Sequence, residues 1–133
     1  MLLTRASEYA LLTLDYLRRH TKPIGAEQLA MDLNIPKSFL AKILQNLAKQ
    51  GILESHKGAY GGFTIARTAD KIFLSEIILA SEGKKPLVFD CTQYSETCPY
   101  GMIGSCNISP FLANFQNKVD TFLENLTLED ILN

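Results

Sequence analysis

The segment PKSFLAKILQNLAKQGILESHKGAYGGFTIAR, residues 36–67, decides the fold of this 133-residue chain. Its first half carries apolar residues at helical spacing, which predicts a helix with one buried face. That face is formed by Leu40, Ile43, Leu44 and Leu47. A second face, small and polar, repeats the same spacing and is formed by Ser38, Ala41, Lys42 and Gln45. Gly51 then supplies the C-terminal stop of the helix.

The residues before this helix predict a second, shorter helix. Apolar residues recur at i, i+3, i+4 and i+7 from Ala26 to Leu33, and Asn34, Ile35 and Pro36 form a turn, with Pro36 suited to the first turn of the next helix. Two short helices around a tight turn, the second with a polar and basic outer face, are typical of a helix-turn-helix that enters a DNA major groove. For this fragment alone, an ordinary helical hairpin with a solvated face is the alternative.

The second half of the segment predicts a β-hairpin. ILESHK (52–57) and FTIAR (63–67) are short alternating stretches joined by a glycine-rich tip at 58–62. This pattern indicates the wing of a winged helix. A phosphate-binding loop is discounted, because there is no Gly-Lys-Ser/Thr sequence and no strand-to-helix setting. Lys57 and Arg67 flank the hairpin, either contacting DNA phosphates or only solvated.

Three more helices are predicted outside this segment. One has an apolar stripe between Ala6 and Leu17, and LSEIILASEG (74–83) forms a short one that ends at Gly83. Ser109 and Pro110 are suited to the N-cap and first turn of the last long helix, and Thr127–Asp130 resembles a cap that opens a final turn.

The long helix carries large side chains on one side, namely Phe111, Phe115, Val119, Phe122 and Leu126. Such a stripe either folds back on the core of its own chain or forms a subunit interface. We favour an obligate homodimer, which provides two recognition helices for a two-fold related operator. The fold class expected is mainly α: a winged helix-turn-helix with a small β-hairpin wing and a long C-terminal dimerisation helix.

Composition and charge agree with one globular domain. The chain is 47% hydrophobic and 20% charged, and it contains no apolar run of bilayer-spanning length. Because the N-terminal stretch carries an acid at Glu8 instead of an uninterrupted apolar run, we expect a cytoplasmic protein. Residues 1–71 carry ten Lys or Arg against six Asp or Glu, a net +4, whereas residues 72–133 carry three against eight, a net −5. The N-terminal half is therefore the one suited to a polyanion.

All three cysteines lie in FDCTQYSETCPYGMIGSCNISPF, residues 89–111. Cys91, Cys98 and Cys106 could serve packing, a disulfide with one spare thiol, or ligation. A reducing compartment and an odd count argue against a complete disulfide framework. Bends are supplied by Pro99, Gly101 and Gly104.

The chain resembles a known family in several segments taken in order. They are LTRASEYALLTL, IPKSFLAKILQNLAKQGIL, KGAYGGFTIAR, LASEG, the three-cysteine loop and FLENLTLEDIL. This ordered set resembles the Rrf-type winged-helix transcription regulators of bacteria, the family of the iron-sulfur assembly regulator IscR and the nitric-oxide sensor NsrR. The resemblance implies a DNA-binding region over 1–83, a three-cysteine cluster or effector loop over 84–109 and a dimerisation helix over 110–133.

The resemblance also implies an iron-sulfur cluster, either two-iron two-sulfur or four-iron four-sulfur, held by Cys91, Cys98 and Cys106. Thiolates are the soft ligands that such clusters favour. In the iron-sulfur assembly regulator a histidine three residues after the last cysteine completes the site, whereas the same offset here gives Ser109.

In the nitric-oxide sensor group an acidic residue near the start of helix one of the other subunit completes the site, and its equivalent here is Glu8. The alternative is that Glu8 pairs with a nearby base such as Arg5 or caps helix one. Asp90 is the fallback ligand, and His20 and His56 are badly placed.

For DNA readout, Ser38 and Lys42 are the groove-facing candidates, with Gln45 further along the helix. The remaining candidates are Lys37 and Lys57 on phosphates, and Gly58 and Tyr60 at the wing tip. Phe39 is expected in the core or packed on a sugar. Base preference does not transfer from the iron-sulfur assembly regulator, because Ala41 stands where that protein carries a glutamate. Ala59-Tyr60 stands where the family commonly shows Pro-Gly, which either places an aromatic tip near the minor groove or leaves an exposed tyrosine.

Three other functions are compatible with parts of the sequence. One is a metal-free thiol switch on the same scaffold, in which oxidation joins two of the cysteines. A structural zinc site ranks lower, because zinc usually wants a close Cys-x-x-Cys pair. An enzyme is not expected, because the chain has neither that pair nor a histidine placed to activate a cysteine.

Overall fold

The computed structural model describes residues 3–88, 98, 100–101 and 106–132. Six α-helices, a two-stranded hairpin and a short 3-10 turn at Ala69–Lys71 follow one another in this part of the chain. The elements are α1 Arg5–Arg18, α2 Ala26–Leu33, α3 Lys37–Lys49, β1 Leu53–His56, β2 Gly62–Ile65, α4 Leu74–Glu82, α5 Ser109–Asn125 and α6 Leu128–Leu132. This mostly helical architecture with one antiparallel hairpin confirms the predicted winged helix-turn-helix. None of the helices described is long and apolar enough to cross a membrane.

The turn between α2 and α3 is tight because Asn34 takes the left-handed conformation, with φ of 55°. The amide of the next residue, Ile35, donates to the carbonyl of Ala30 at 3.0 Å, and the Ile35 side chain is buried. Pro36 is the N-cap of α3 and stands just before its first turn. The predicted apolar stripe of α3 is confirmed, since Leu40, Ile43, Leu44 and Leu47 are all buried.

The wing is held against the helical core by one extra bridge. Ile24 pairs with Phe63 of β2, and the two backbone hydrogen bonds measure 2.9 and 3.2 Å. Gly62 makes this approach possible: its φ is +147°, and an added Cβ would lie 2.4 Å from the carbonyl carbon of Ile24. Only glycine fits such a backbone conformation and such a close neighbour.

The C-terminal helix α6 returns to the N-terminal core. Leu128 is fully buried in the main core cluster, and its amide donates to the carbonyl of Ile72 at 2.8 Å. The predicted cap is confirmed, because the Thr127 amide donates to Asp130 Oδ2 at 3.0 Å and the Asp130 amide donates to Thr127 Oγ1 at 3.2 Å. The predicted N-cap of α5 is wrong by one position: Ser109 is the first helical residue and Ile108 is the N-cap. The amide of Ser109 donates to the carbonyl of Cys106, which places Ser109 inside the first turn.

The faces of α5 divide between the core and solvent. Leu123 packs with Leu74 and Ile78 in a second buried cluster, against which Val119 also packs. The three phenylalanines of α5, Phe111, Phe115 and Phe122, are exposed in the single chain. The aromatic side chains therefore do not fold back on the core, and they form an exposed face that we call the phenylalanine face.

Candidate DNA-binding surface and cysteine loop

The polar face of α3 points away from the core. Ser38, Lys42 and Gln45 are exposed and share one side of the helix, opposite Leu40 and Leu44. Hydroxyl, ammonium and amide groups are the donors and acceptors that read base edges in a major groove. The structure thus brings the three candidate base-reading residues together on one accessible surface.

Two neighbours of this face, Lys37 and Phe39, are also exposed. Lys37 is exposed at the start of α3, with Nζ 3.4 Å from Glu27 Oε1 of α2, a solvent-accessible pair of little energetic weight. Phe39 is 62% exposed, so the expectation that it lies in the core is wrong. Its position on α3 turns the ring away from the Leu40 and Leu44 stripe, and packing on a sugar stays a prediction.

The wing tip presents its candidate contacts to solvent. Tyr60 is 94% exposed, and Lys57 and Gly58 are exposed beside it. Gly58 has φ of +102°, and its carbonyl accepts from the amide of Gly61 at 3.0 Å, which closes the turn. At the end of β1 that adjoins the tip, the His56 ring Nε2 lies 2.9 Å from Thr64 Oγ1, so this histidine joins the two strands of the hairpin.

Arg67 anchors the base of the wing. Its guanidinium contacts Glu76 of α4, with Nη2 3.2 Å from Oε1, and it donates to the carbonyls of Lys71 at 3.0 Å and Gly51 at 3.3 Å. These contacts correct the expectation that Arg67 meets DNA phosphates, because its donors point into the fold. The side chain fixes the hairpin to α4.

Glu8 lies in the first turn of α1 with an exposed side chain, and its Oε2 is 2.7 Å from Nη1 of Arg5. The pairing that we considered as the alternative role of Glu8 is therefore present. Thr4, not Glu8, caps α1, because its Oγ1 accepts from the amide of Ala6 at 3.2 Å. An exposed pair between residues three positions apart contributes little, so the carboxylate of Glu8 stays available to another partner.

The cysteine loop is described only in part. Cys98 and Cys106 are both partly buried. The other predicted residues of the loop lie outside the described residues, namely Asp90, Cys91, Pro99 and Gly104. Gly101 has φ of +67°, and its amide donates to the carbonyl of Cys98 at 3.1 Å, so a tight turn follows this cysteine as the bend prediction requires. Within the described ranges, no group of three or more His, Cys, Asp or Glu residues is placed to hold a metal ion.

A polar network between α1 and α4 was not found by sequence reasoning. Glu82 Oε1, at the end of α4, accepts from the Thr4 amide at 2.9 Å and from the Ser7 hydroxyl at 2.7 Å. The Ser7 hydroxyl also lies 3.0 Å from that of Ser81, and Ser7 is buried. Burial raises the pKa of Glu82, but the hydrogen bonds from Thr4 and Ser7 outweigh it and hold the pKa below its usual value. The network therefore joins the start of α1, where Glu8 lies, to Glu82 at the end of α4, two residues before the cysteine loop region begins at residue 84.

A second missed feature is Gln116, which is fully buried in α5. Its side chain accepts from the Val88 amide at 2.9 Å and donates to the Pro86 carbonyl at 3.0 Å and to Asp120 Oδ1 at 2.8 Å. Asp120 Oδ2 in turn lies 3.0 Å from Lys85 Nζ. These contacts, which we call the Gln116 latch, hold residues 85–88 on α5.

Comparison with known proteins places the chain among bacterial regulators. The model of the Rrf2 family, described as iron-dependent transcriptional regulator, matches residues 3–133. An HTH-type transcriptional regulator of Aquifex aeolicus is 29% identical over 135 residues, covering 100% of this chain and 92% of that protein. The transcriptional regulator NsrR of Halalkalibacterium halodurans is 28% identical over 134 residues, covering 99% of this chain and 90% of its own.

Solved structures give the same fold. A transcriptional regulator from Listeria innocua superposes with a TM-score of 0.75 at 26% identity, covering 98% of this chain and 85% of that one. CymR, the global cysteine regulator of B. subtilis, and IscR of T. potens share the fold at 21% and 20% identity. Their TM-scores are 0.68 and 0.69, with 98% of this chain covered in both and 95% and 85% of theirs. The relatives are regulators of transcription and not enzymes, as the sequence pattern led us to expect. The match of the family model to residues 3–133, which span α1 to α6, shows that this chain belongs to the Rrf2 family of transcriptional regulators.

Proposed function

We propose that a homodimer of this chain binds a two-fold related DNA operator through α3 and the wing. The observation that carries the proposal is the exposed face of Ser38, Lys42 and Gln45 on a helix whose other side is buried. In this arrangement α3 enters the major groove and these three side chains meet base edges. Lys37 and Lys57 contact phosphates, and Gly58 and Tyr60 at the wing tip reach the adjacent groove.

Charge supports this assignment of the surfaces. The half of the chain that holds α3 and the wing has a net charge of +4, and the other half has −5. A duplex is therefore attracted to the N-terminal half and repelled by the C-terminal half, which orients the protein on approach.

The test is Lys42→Ala, measured on a duplex that the wild-type protein has selected from a random library. The variant should bind the duplex more weakly. If Lys42 contacts a phosphate, the slope of log affinity against log salt concentration should fall by about one. If Lys42 reads a base, specificity should be relaxed at one base pair. Lys84→Ala is the matched control, since Lys84 is exposed beyond the end of α4, in the acidic half. Unchanged binding by Lys42→Ala, or equal losses in both variants, would remove α3 from the interface.

The homodimer is proposed from the phenylalanine face. Phe111 and Phe115 contact each other, with ring centroids 6.0 Å apart, and Phe122 continues the same side of α5. Three large aromatic side chains on one exposed helix face are typical of an interface. A two-fold axis through this face would present one copy of α3 to each half of the operator.

We further propose that Cys91, Cys98 and Cys106 hold an iron-sulfur cluster, with Glu8 of the partner subunit as the fourth ligand. The donor chemistry fits: two of the thiols are partly buried near a turn, and the carboxylate of Glu8 is exposed and held only by a surface pair. When bound, a cluster with one oxygen ligand supplies an iron site open to nitric oxide, oxygen or loss of iron.

The chain links such a site to the DNA-binding half through α1. Glu8 belongs to the first turn of α1, and the Thr4 and Ser7 contacts to Glu82 tie that turn to the end of α4. Releasing Glu8 from the partner's loop therefore frees a contact that crosses the dimer. The spacing of the two α3 helices then shifts, because the contact differs between the two states.

The deciding measurement is an absorption spectrum with iron and acid-labile sulfide analysis on protein purified without oxygen. We expect a coloured protein that contains both elements, with the colour lost when all three cysteines are replaced by alanine. Glu8→Ala should lose the cluster faster than wild type, whereas Glu27→Ala, which removes an exposed carboxylate from α2, should not. Colourless protein after anaerobic reconstitution would favour the metal-free thiol switch instead.

A further inference from the structure

An open cavity of about 250 Å³ lies between α4, α5 and the segment that follows α4. One wall is apolar and consists of Leu79, Pro86 and Leu123. The volume falls just below the ~300 Å³ at which pockets for drug-sized ligands begin. The cavity is therefore suited to a small molecule.

The charged side chains around the cavity leave one negative charge uncompensated. Asp120 pairs with Lys85 at 3.0 Å, and Glu76 pairs with Arg67 at 3.2 Å. Glu124 also lines the cavity, and in the part of the chain that the structure describes it has neither an ion pair nor a side-chain hydrogen bond. The surrounding half of the chain has a net charge of −5, so the local potential favours cations.

We propose that this cavity binds a small organic cation, a protonated primary amine with a short apolar body. The ammonium group lies between Glu124 and Asp120, and the apolar body packs on Leu79, Pro86 and Leu123. An anion of the same size is disfavoured, because Lys85 and Arg67 are already paired with Asp120 and Glu76, and the remaining carboxylate of Glu124 repels it.

The cavity and the proposed dimer interface are on different sides of α5. At 100° per residue, Asp120 and Glu124 lie roughly 160° around the helix from the phenylalanine face, and Leu123 lies roughly 100° from it. A dimer formed through that face therefore leaves the cavity open to solvent. The site also does not depend on the cysteines, so it stands whether or not they hold a cluster.

Binding in this cavity would affect two sets of contacts: the Gln116 latch and the pair of Glu76 with Arg67 at the base of the wing. Lys85 and Asp120 belong to the Gln116 latch at the entry of the cysteine loop, and Glu76 holds the wing anchor Arg67. A cation beside Asp120 competes with Lys85, and one beside Glu76 competes with Arg67. The amine would thus act as an effector that loosens residues 85–88 and the base of the wing.

The experiment is a titration of the full-length, reduced protein with benzylammonium chloride at constant ionic strength, followed by backbone amide chemical shifts. We expect saturable shifts confined to residues 74–88 and 118–124, with an affinity in the millimolar range that befits a ligand of eight heavy atoms. Benzyl alcohol, of the same shape without the charge, should bind about fivefold more weakly, and benzoate should not bind.

The variant is Glu124→Gln, and its control is Glu129→Gln, which removes an exposed carboxylate from α6 outside the cavity. Glu124→Gln should weaken benzylammonium binding about fivefold and leave benzyl alcohol unaffected, while Glu129→Gln should behave as wild type. The proposal is overturned by an absence of saturable shifts, by equal binding of the alcohol and the amine, or by equal effects of the two variants.

Discussion

Glu82 shows how a single carboxylate can join two helices that are distant in sequence. Three donors, the amide and hydroxyl of Thr4 and the hydroxyl of Ser7, converge on its Oε1. Hydrogen bonds to an ionised acceptor are about twice as strong as those between neutral groups. The ionised form of Glu82 is therefore the one that holds the start of α1 against the end of α4.

This arrangement predicts a pH dependence of stability. The pKa of Glu82 is lowered in the folded state from the ordinary value of 4.5, so the unfolded chain binds more protons on acidification. The stabilisation is complete above the unfolded pKa and is lost as the pH falls through the lower, folded pKa. Glu82→Gln should reduce the free energy of unfolding by about 1 kcal/mol near neutral pH.

Urea unfolding at a series of pH values measures the effect. The difference between wild type and Glu82→Gln should shrink as the pH falls below 4.5. Glu129→Gln, on the exposed face of α6, is the control for a generic loss of charge. A difference that stays constant down to strong acid would show that the network does not depend on the charge of Glu82.

At the scale of elements, the wing is positioned by Arg67 and not only by its own strands. The guanidinium reaches Glu76 of α4 and the carbonyls of Gly51 and Lys71, so it contacts both chain segments that enter and leave the hairpin. The hairpin itself is only two strands of four residues, which are marginal without such support. The orientation of the wing is therefore set at its base.

Arg67→Ala should weaken operator binding through misplacement of the wing and leave the salt dependence unchanged. A residue on a phosphate behaves differently, since its loss reduces the salt slope by about one. Binding measured across a range of salt concentrations separates the two roles. In a double-mutant cycle, Arg67→Ala and Glu76→Gln should be non-additive in both stability and affinity, because they remove the same contact.

The attachment of residues 85–88 to α5 gives a second prediction at this scale. Gln116→Leu keeps a similar volume but removes all three hydrogen bonds, so the Val88 amide and the Pro86 carbonyl lose their partners. The cost should be about 2 kcal/mol of unfolding free energy. Hydrogen exchange at the Val88 amide should become faster than in Asn117→Ala, a control at the exposed neighbouring amide. Unchanged exchange at Val88 would mean that the loop entry is held by other contacts.

At the scale of the whole molecule, the phenylalanine face is the surface through which we propose that the chain forms a dimer. Phe122→Glu should raise the dissociation constant of the dimer by at least about 30-fold, because a buried interface aromatic commonly contributes 2 kcal/mol or more. Met31→Glu is the control: Met31 is an exposed apolar side chain on α2, away from α5. Sedimentation equilibrium measures the masses, and circular dichroism checks that both variants stay folded. A dimeric Phe122→Glu protein would move the interface elsewhere.

Sequence patterns predicted the elements of this molecule better than the contacts between them. The α3 stripe and the glycine-rich tip follow from local periodicity and turn chemistry, and both are confirmed. Ser7 and Gln116 read as solvated polar residues on their helices, yet both are buried. Their partners lie 75 and about 30 positions away, and hydrophobic periodicity carries no signal for such pairs.

Arg67 illustrates the same limit. Its place beside a wing suggested either a phosphate contact or a solvated side chain, and only the position of Glu76 in the folded chain shows that its donors are already used. Phe39 was expected either in the core or packed on a sugar; its exposure excludes the core, and packing on a sugar stays a prediction. The residues of the candidate site were named from the sequence and stay predictions, whereas the contacts that join the wing to α4 and α1 to α4 were not predicted.

The return of α6 to the N-terminal core has a consequence for biosynthesis. Leu128 fills a position among α1 to α4 residues, and backbone bonds join Ile72 to Leu128 and Leu74 to Leu126. The hydrophobic core under the helix-turn-helix therefore stays incomplete until residues 126–132 have been translated, although the helix-turn-helix itself is translated first. Contacts over such sequence separations form late and at an entropic cost. We therefore expect a chain that stops before residue 126 to bind DNA more weakly, because part of the core that supports α1 to α4 is missing.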